Sequence, residues 1–224
     1  MLKAIKSNSL IRKFLFGILS GKIVSRSHYV SSYKISFDAG RNMGFFFSRS
    51  VHWEPVITKN VLNLLKTGMT VFDIGGNIGY YTILFADAVG TKGKVVTFEP
   101  DEISIPILKT NINQNQLMQV TLVAKGISST KGTIKFNLDM STGQTSSIKD
   151  DVWHPNATQL KTVEIETMSL DNALEIYGCP HFIKCDVEGA EELVFNKESA
   201  RKTLSKKPIL LIEIKDENQV LLYE

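Results

Sequence analysis

The heptapeptide DIGGNIG holds Asp73, Gly75, Gly76, Asn77 and Gly79 directly after an apolar run, and glycines at this spacing let a ligand approach bare backbone. Asn77 stands where the dinucleotide fingerprint Gly-x-Gly-x-x-Gly has its second glycine, so that pattern is broken. An aspartate at the tip of the preceding strand repels a pyrophosphate held a few ångströms away. The same carboxylate suits a ligand carrying an amino group and a positively charged sulfur. Glu99 lies twenty positions past Gly79, at the end of the next apolar run, where a carboxylate accepts hydrogen bonds from the two hydroxyls of a ribose. Loop and acid together imply a nucleoside-bearing ligand.

The elements that must hold these residues follow from apolar periodicity. Residues 54–66 carry a helical stripe closed by Thr67 and Gly68. Residues 69–74 read as a strand buried on both faces, residues 80–89 as a helix ended by Gly90 and Gly93, and residues 94–99 as a second strand stopped by Pro100. A helix over 103–115, with an end rich in Asn and Gln, and a third strand over 120–124 follow. Residues 133–138 and 161–167 alternate like half-exposed strands of a hairpin whose connection, 139–160, is long enough to be functional or mobile. A short helix over 169–177 and core strands over 181–187 and 208–214 complete the pattern. Strand and helix in alternation predict a mostly parallel α/β sheet covered on both faces, with ligands bound beyond the carboxyl ends of its strands.

Composition bounds the rest. The 224 residues are 43% hydrophobic and 22% charged, with 26 basic and 23 acidic residues. The net charge of +3 and the lack of basic clustering in the central region argue against a nucleic-acid footprint. Cys179 and Cys185 are too few for a disulfide framework and too close together for a zinc site without partners, which points to reduced thiols and the cytoplasm. Residues 1–52 form a separate extension that opens with a basic amphipathic helix, its apolar side at Leu10, Ile11, Phe14, Leu15 and Ile18. Three roles stay open for it: packing on the domain spanning 53–224, peripheral contact with a membrane interface, or, with the charges inside the segment against it, a cleaved signal peptide.

DIGGNIGYYTILFA, VVTFEPDEISIPILKTNINQNQL, VEIETMSLDNAL, FIKCDVEGAEELVF and PILLIEI resemble the successive motifs of the FkbM family of S-adenosylmethionine-dependent methyltransferases. The likeness runs over 69–214, and the block around CDVEGAE is its family-specific part. The resemblance implies a Rossmann-like class I methyltransferase fold with S-adenosyl-L-methionine as cofactor, and O-methylation of a hydroxyl in a glycan, glycolipid or natural product. It places the methionine moiety over Asp73 to Gly79, beside Asn77 and Tyr80, and the ribose at Glu99. Adenine falls near Pro100, Asp101 and the exit of the third strand at Ala124, Lys125 and Gly126, and Asp186 stands beside the transferable methyl.

An alcohol is a poor nucleophile at neutral pH, so a general base within hydrogen-bond reach is expected. Asp186, Glu188 and Glu213 are the acids at the ends of the fourth and fifth strands, with Asp186 or Glu188 favoured. Glu188 and Glu191 fit equally well as carboxylates favoured at a helix N-terminus, and Lys184, inside a core strand, is expected to pair with an acid. No third metal ligand is evident beside Asp186 and Glu188, and metal independence is expected.

A class I domain closes its sheet with an antiparallel hairpin that this sequence lacks after residue 214. That predicts either a truncated chain or an edge closed by homodimerisation. The alternative functions are an inactive cofactor-binding remnant and, with Asn77 against it, a nicotinamide-dependent oxidoreductase.

Overall fold

The computed structural model describes residues 9–140, 146 and 160–213. Five strands form its central sheet: β4 (Thr70–Ile74), β5 (Lys94–Phe98), β6 (Val120–Val123), β10 (Phe182–Cys185) and β11 (Ile209–Ile212), in the order β11-β10-β4-β5-β6. Every pairing is parallel. The order reverses beside β4, which makes the sheet doubly wound and Rossmann-like, as the alternation of strands and helices predicts.

Strand periodicity sorts the core into two layers. Val71, Val95 and Phe182 face α4 (Tyr80–Val89) and α3 (Pro55–Leu64), where Tyr81, Leu84, Phe85 and Val61 fill the space. Phe72, Phe98 and Ile183 face the other way, towards α6 (Leu170–Tyr177) and α7 (Glu191–Val194). Such strands, apolar on both sides, mark a parallel sheet covered on both faces. The predicted hairpin is β8 (Gly132–Asp139) paired antiparallel with β9 (Leu160–Met168), and β7 (Gly126–Ile127) joins β9 in parallel. Ser146 is the one residue described in their long connection.

The N-terminal extension holds more than a helix. After α1 (Ser9–Leu19), strands β1 (Ile23–His28), β2 (Lys34–Asp38) and β3 (Ser50–Val51) form a small sheet, with α2 (Met43–Phe46) between the last two. Ile35, Phe37 and Val51 are fully buried in the same layer as α4.

The polar end of α5 (Ser104–Gln114) has its explanation here. Asn111, completely buried, accepts from Ser36 N–H (2.6 Å) and donates to Ser36 C=O (2.9 Å) and Ile78 C=O (2.6 Å). Gln114 and Asn115 bond the backbone of Lys34 in the same way. Amide side chains thus take the place of a neighbouring strand along β2 and tie it to the glycine loop. Asn111→Leu strands three buried backbone groups, so it should cost about 3 kcal/mol and lower Tm by roughly 6 to 12 °C in a thermal melt.

Candidate functional site

Strand register assembles the site. Ile74 pairs with Cys185 and with Phe98, and Cys185 pairs with Ile212. The residues one step beyond, Gly75, Glu99, Asp186 and Glu213, therefore line up along the carboxyl edge of the sheet. The ladder continues past the strand ends, with Asp186 N–H donating to Ile74 C=O (3.1 Å) and Glu213 N–H to Cys185 C=O (3.0 Å). A cleft opens at this edge.

Gly75, Asn77, Glu99, Pro100, Asp101, Asp186 and Glu188, all named from the sequence, line the cleft. Gly75 is required by geometry: its φ is +79°, and a Cβ there would stand 1.9 Å from the Asp186 carbonyl oxygen. Glu99 is buried, and its carboxylate accepts from Asn77 N–H (2.6 Å) and Asp101 N–H (2.8 Å). Burial first, then the Asp101 charge, pushes its carboxyl up to about 8, against the pull of those two N–H groups. Asp101 accepts from Ile103 N–H (2.7 Å) to start α5, and its other oxygen accepts from Ser146 Oγ (3.2 Å).

Six expected cofactor-binding residues are not on the cleft wall. Asp73 shares the face of Val71 and lies wholly buried beneath the loop, between Thr97 and Lys184 in strand register. Its Oδ2 accepts from Thr82 Oγ1 (2.6 Å), and its Oδ1 faces Lys184 Nζ at 4.0 Å. Burial pushes its carboxyl up, opposed by Lys184 and the threonine hydroxyls. Gly76 packs on Thr97. Gly79, at φ +96°, packs under Leu108 and starts α4. The Tyr80 ring turns back to stack on buried His28 at 4.5 Å, whose imidazole burial drives down to about 4. Lys125 is drawn to Glu166 (2.6 Å), and beside Ala124 it is Gly126 and Ile127 that reach the wall instead.

The structure also supplies what the sequence did not single out. Phe136 and Ile165 of the hairpin, with Phe98 and Ile127, make one end of the cleft apolar; their alternation in β8 and β9 was the available signal. Glu213, named from the sequence as a candidate base, forms a group with Asp186 and Glu188, whose carboxylate oxygens lie within 4.8 Å of one another, so it stands where no third metal ligand was evident. Glu188 sits at φ +56° on the cleft wall, whereas Glu191 takes the local role, accepting from Gly189 N–H (3.0 Å).

Lys184 is 5% exposed, 3.1 Å from Asp186 Oδ2 and 5.0 Å from the centre of the Tyr81 ring, which is the pairing its core position calls for. Tyr81 in turn donates to Glu54 (2.8 Å), and Tyr80 Oη accepts from Trp53 N–H (3.3 Å), so the junction with the N-terminal extension is tied to the first turn of α4. Glu213 is held up to about 8, chiefly by its hydrogen bond to Asp186, then by burial and the charges of Asp186 and Glu54. Once the proton shared by Asp186 and Glu213 has left, the Asp186 carboxylate, with Lys184 beside it, can accept a proton from an alcohol.

The methyltransferase FkbM domain family matches residues 73–221. Among solved structures, the methyltransferase FkbM from Methylobacillus flagellatus KT is 21% identical, with a TM-score of 0.46 over 67% of this chain and 34% of that one. A precorrin-6y C5,15-methyltransferase from Geobacter metallireducens GS-15 is 10% identical, with a TM-score of 0.47 over 78% and 70% of the two chains. The chain thus spans about a third of the length of the Methylobacillus protein. No curated protein matches it.

Proposed function

Because the chain belongs to the methyltransferase FkbM domain family, we propose that it transfers a methyl group from S-adenosyl-L-methionine to a hydroxyl of a sugar in a glycan, glycolipid or natural product. One observation carries this reading: a cluster of three carboxylates, Asp186, Glu188 and Glu213, with oxygens within 4.8 Å of one another, stands at a cleft whose wall suits a nucleoside. The donor set fits the cofactor. Glu99 presents a rigid carboxylate for a ribose diol, since its two backbone N–H bonds fix its orientation and leave lone pairs towards the cleft. Phe98, Ile127, Phe136 and Ile165 give a flat base an apolar wall, with Asp101 at its rim. Gly75 and Asn77 hold the loop at the methionine end, braced from behind by Asp73 and Lys184.

When bound, the cofactor supplies an electrophilic methyl on a positively charged sulfur. The chain's own task is to align an acceptor oxygen for in-line attack and to take its proton. Alignment can supply much of the rate. Asp186 is the group that takes the proton: Lys184 Nζ at 3.1 Å fixes one of its oxygens, and Glu213 partners the carboxylate. Glu188, on the wall beside it, contacts the acceptor. No divalent cation is called for, because Lys184 and the shared proton already relieve the repulsion among the acids.

Incubation of the purified chain with methyl-labelled cofactor and a panel of glycans and lipid-linked sugars tests the proposal. Label should enter a sugar hydroxyl, with or without EDTA. Label in a nitrogen or carbon acceptor, or in no member of a broad panel, would overturn the substrate class.

A further inference from the structure

We propose that the N-terminal helix α1 docks the protein on an anionic lipid surface, lying in the interface with Phe14 and Ile18 inserted. Two independent features carry the inference.

The first is charge. Residues 1–53 hold nine Lys and Arg against one acid, Asp38, a net +8 in a chain of +3, so the remaining residues carry a net −5. A segment so opposed in sign to the rest of its chain points to an anionic partner. Arg26 and Arg41 spend hydrogen bonds on backbone carbonyls of Ser48 and Asp139, yet their charge still adds to the field.

The second is the burial of the helix itself. Leu15, Phe16 and Leu19 are half-buried, whereas Phe14 and Ile18, four positions apart on one face, are 68% and 46% exposed. Ile23, where the chain enters β1, is 54% exposed. No residue of α1 is acidic. The C-terminal end of the helix is fixed to the body of the protein: Gly21 N–H donates to Asp38 Oδ2 (2.6 Å) and Ala39 N–H to Lys22 C=O (2.9 Å). The exposed face is therefore displayed by an anchored element.

Exposed aromatic and aliphatic side chains in a segment of net positive charge are the chemistry of an interfacial helix, which gains from apolar insertion and from attraction to anionic headgroups. No helix among the described residues is long and apolar enough to cross a membrane, so the contact is peripheral. A protein partner is less favoured, because a net +8 over residues 1–53 is matched most simply by a continuous negative surface.

Co-sedimentation of the full chain with phosphatidylcholine vesicles, with and without phosphatidylglycerol, tests this. Binding should require phosphatidylglycerol and weaken at high salt. The double variant Phe14→Glu/Ile18→Glu should lose at least about tenfold in vesicle affinity. Circular dichroism should leave it superimposable on the parent, since both residues are on the surface. Equal binding by variant and parent, or equal binding to both vesicle types, would overturn the proposal. So would a parent that elutes as a dimer and a variant that elutes as a monomer, because a second copy would then cover the face.

Discussion

Lys184→Met should destabilise the protein by about 3 to 5 kcal/mol, the scale for removing one partner of a buried ion pair. Lys184 and Asp73 are essentially inaccessible, at 5% and 0% exposure, and the lysine lies within 4.0 Å of both Asp73 and Asp186. Two carboxylates keep it protonated despite a burial that favours the neutral amine. Without it, Asp73 is left with the Thr82 and Thr97 hydroxyls as its compensation. Urea unfolding should show the midpoint falling with the slope unchanged. In an Asp73→Asn background the same substitution should cost clearly less, since the stranded charge is gone. An equal loss in both backgrounds would mean that Lys184 contributes by packing on Tyr81 and not by charge.

Asp186→Asn should lower kcat by about 10²- to 10⁴-fold, the range for loss of a general base, and leave cofactor affinity close to that of the parent protein. The pH profile carries the sharper signature. Glu213 is raised to about 8 by sharing a proton with Asp186, so below that pH the pair holds a proton and Asp186 is the weaker acceptor. In the parent protein kcat/KM should accordingly rise with pH, with a midpoint near 8. Glu213→Gln removes the competing carboxylate and should move that midpoint down. A profile flat from pH 6 to about 9 would exclude the shared proton as a catalytic feature.

The central sheet was legible because each of its strands is a short apolar run with its own boundary. Residues 69–74 and 94–99 are closed by glycine and proline, and the hairpin shows itself by alternation. The small N-terminal sheet was not legible, because its support comes from far along the chain. Lys34 to Asp38 is a strand whose backbone partners include the side chains of Asn111, Gln114 and Asn115. Nothing local to KISFD announces them, although the amide-rich end of α5 was visible as an unexplained feature.

In the site the same division holds. Gly75, Asn77, Glu99 and Asp186 could be placed because strand ends place them. Asp73 was expected at the ligand, but strand parity puts it on the face of Val71, towards α4, and a period-two count along β4 would have turned it inward. Glu213 could be named as a strand-end acid, but its contact with Asp186 depends on β11 lying beside β10 in register, and strand order is not written in any one segment.

Calorimetric titration of the purified chain with S-adenosylhomocysteine tests the central claim most directly, because it asks whether the cleft at the sheet edge is a nucleoside site without needing the acceptor. One molecule should bind per chain, and Glu99→Ala should weaken it by about 1 to 3 kcal/mol, the scale for leaving buried hydrogen-bonding groups unpaired. No binding at millimolar ligand, or an affinity that Glu99→Ala leaves unchanged, would contradict the account.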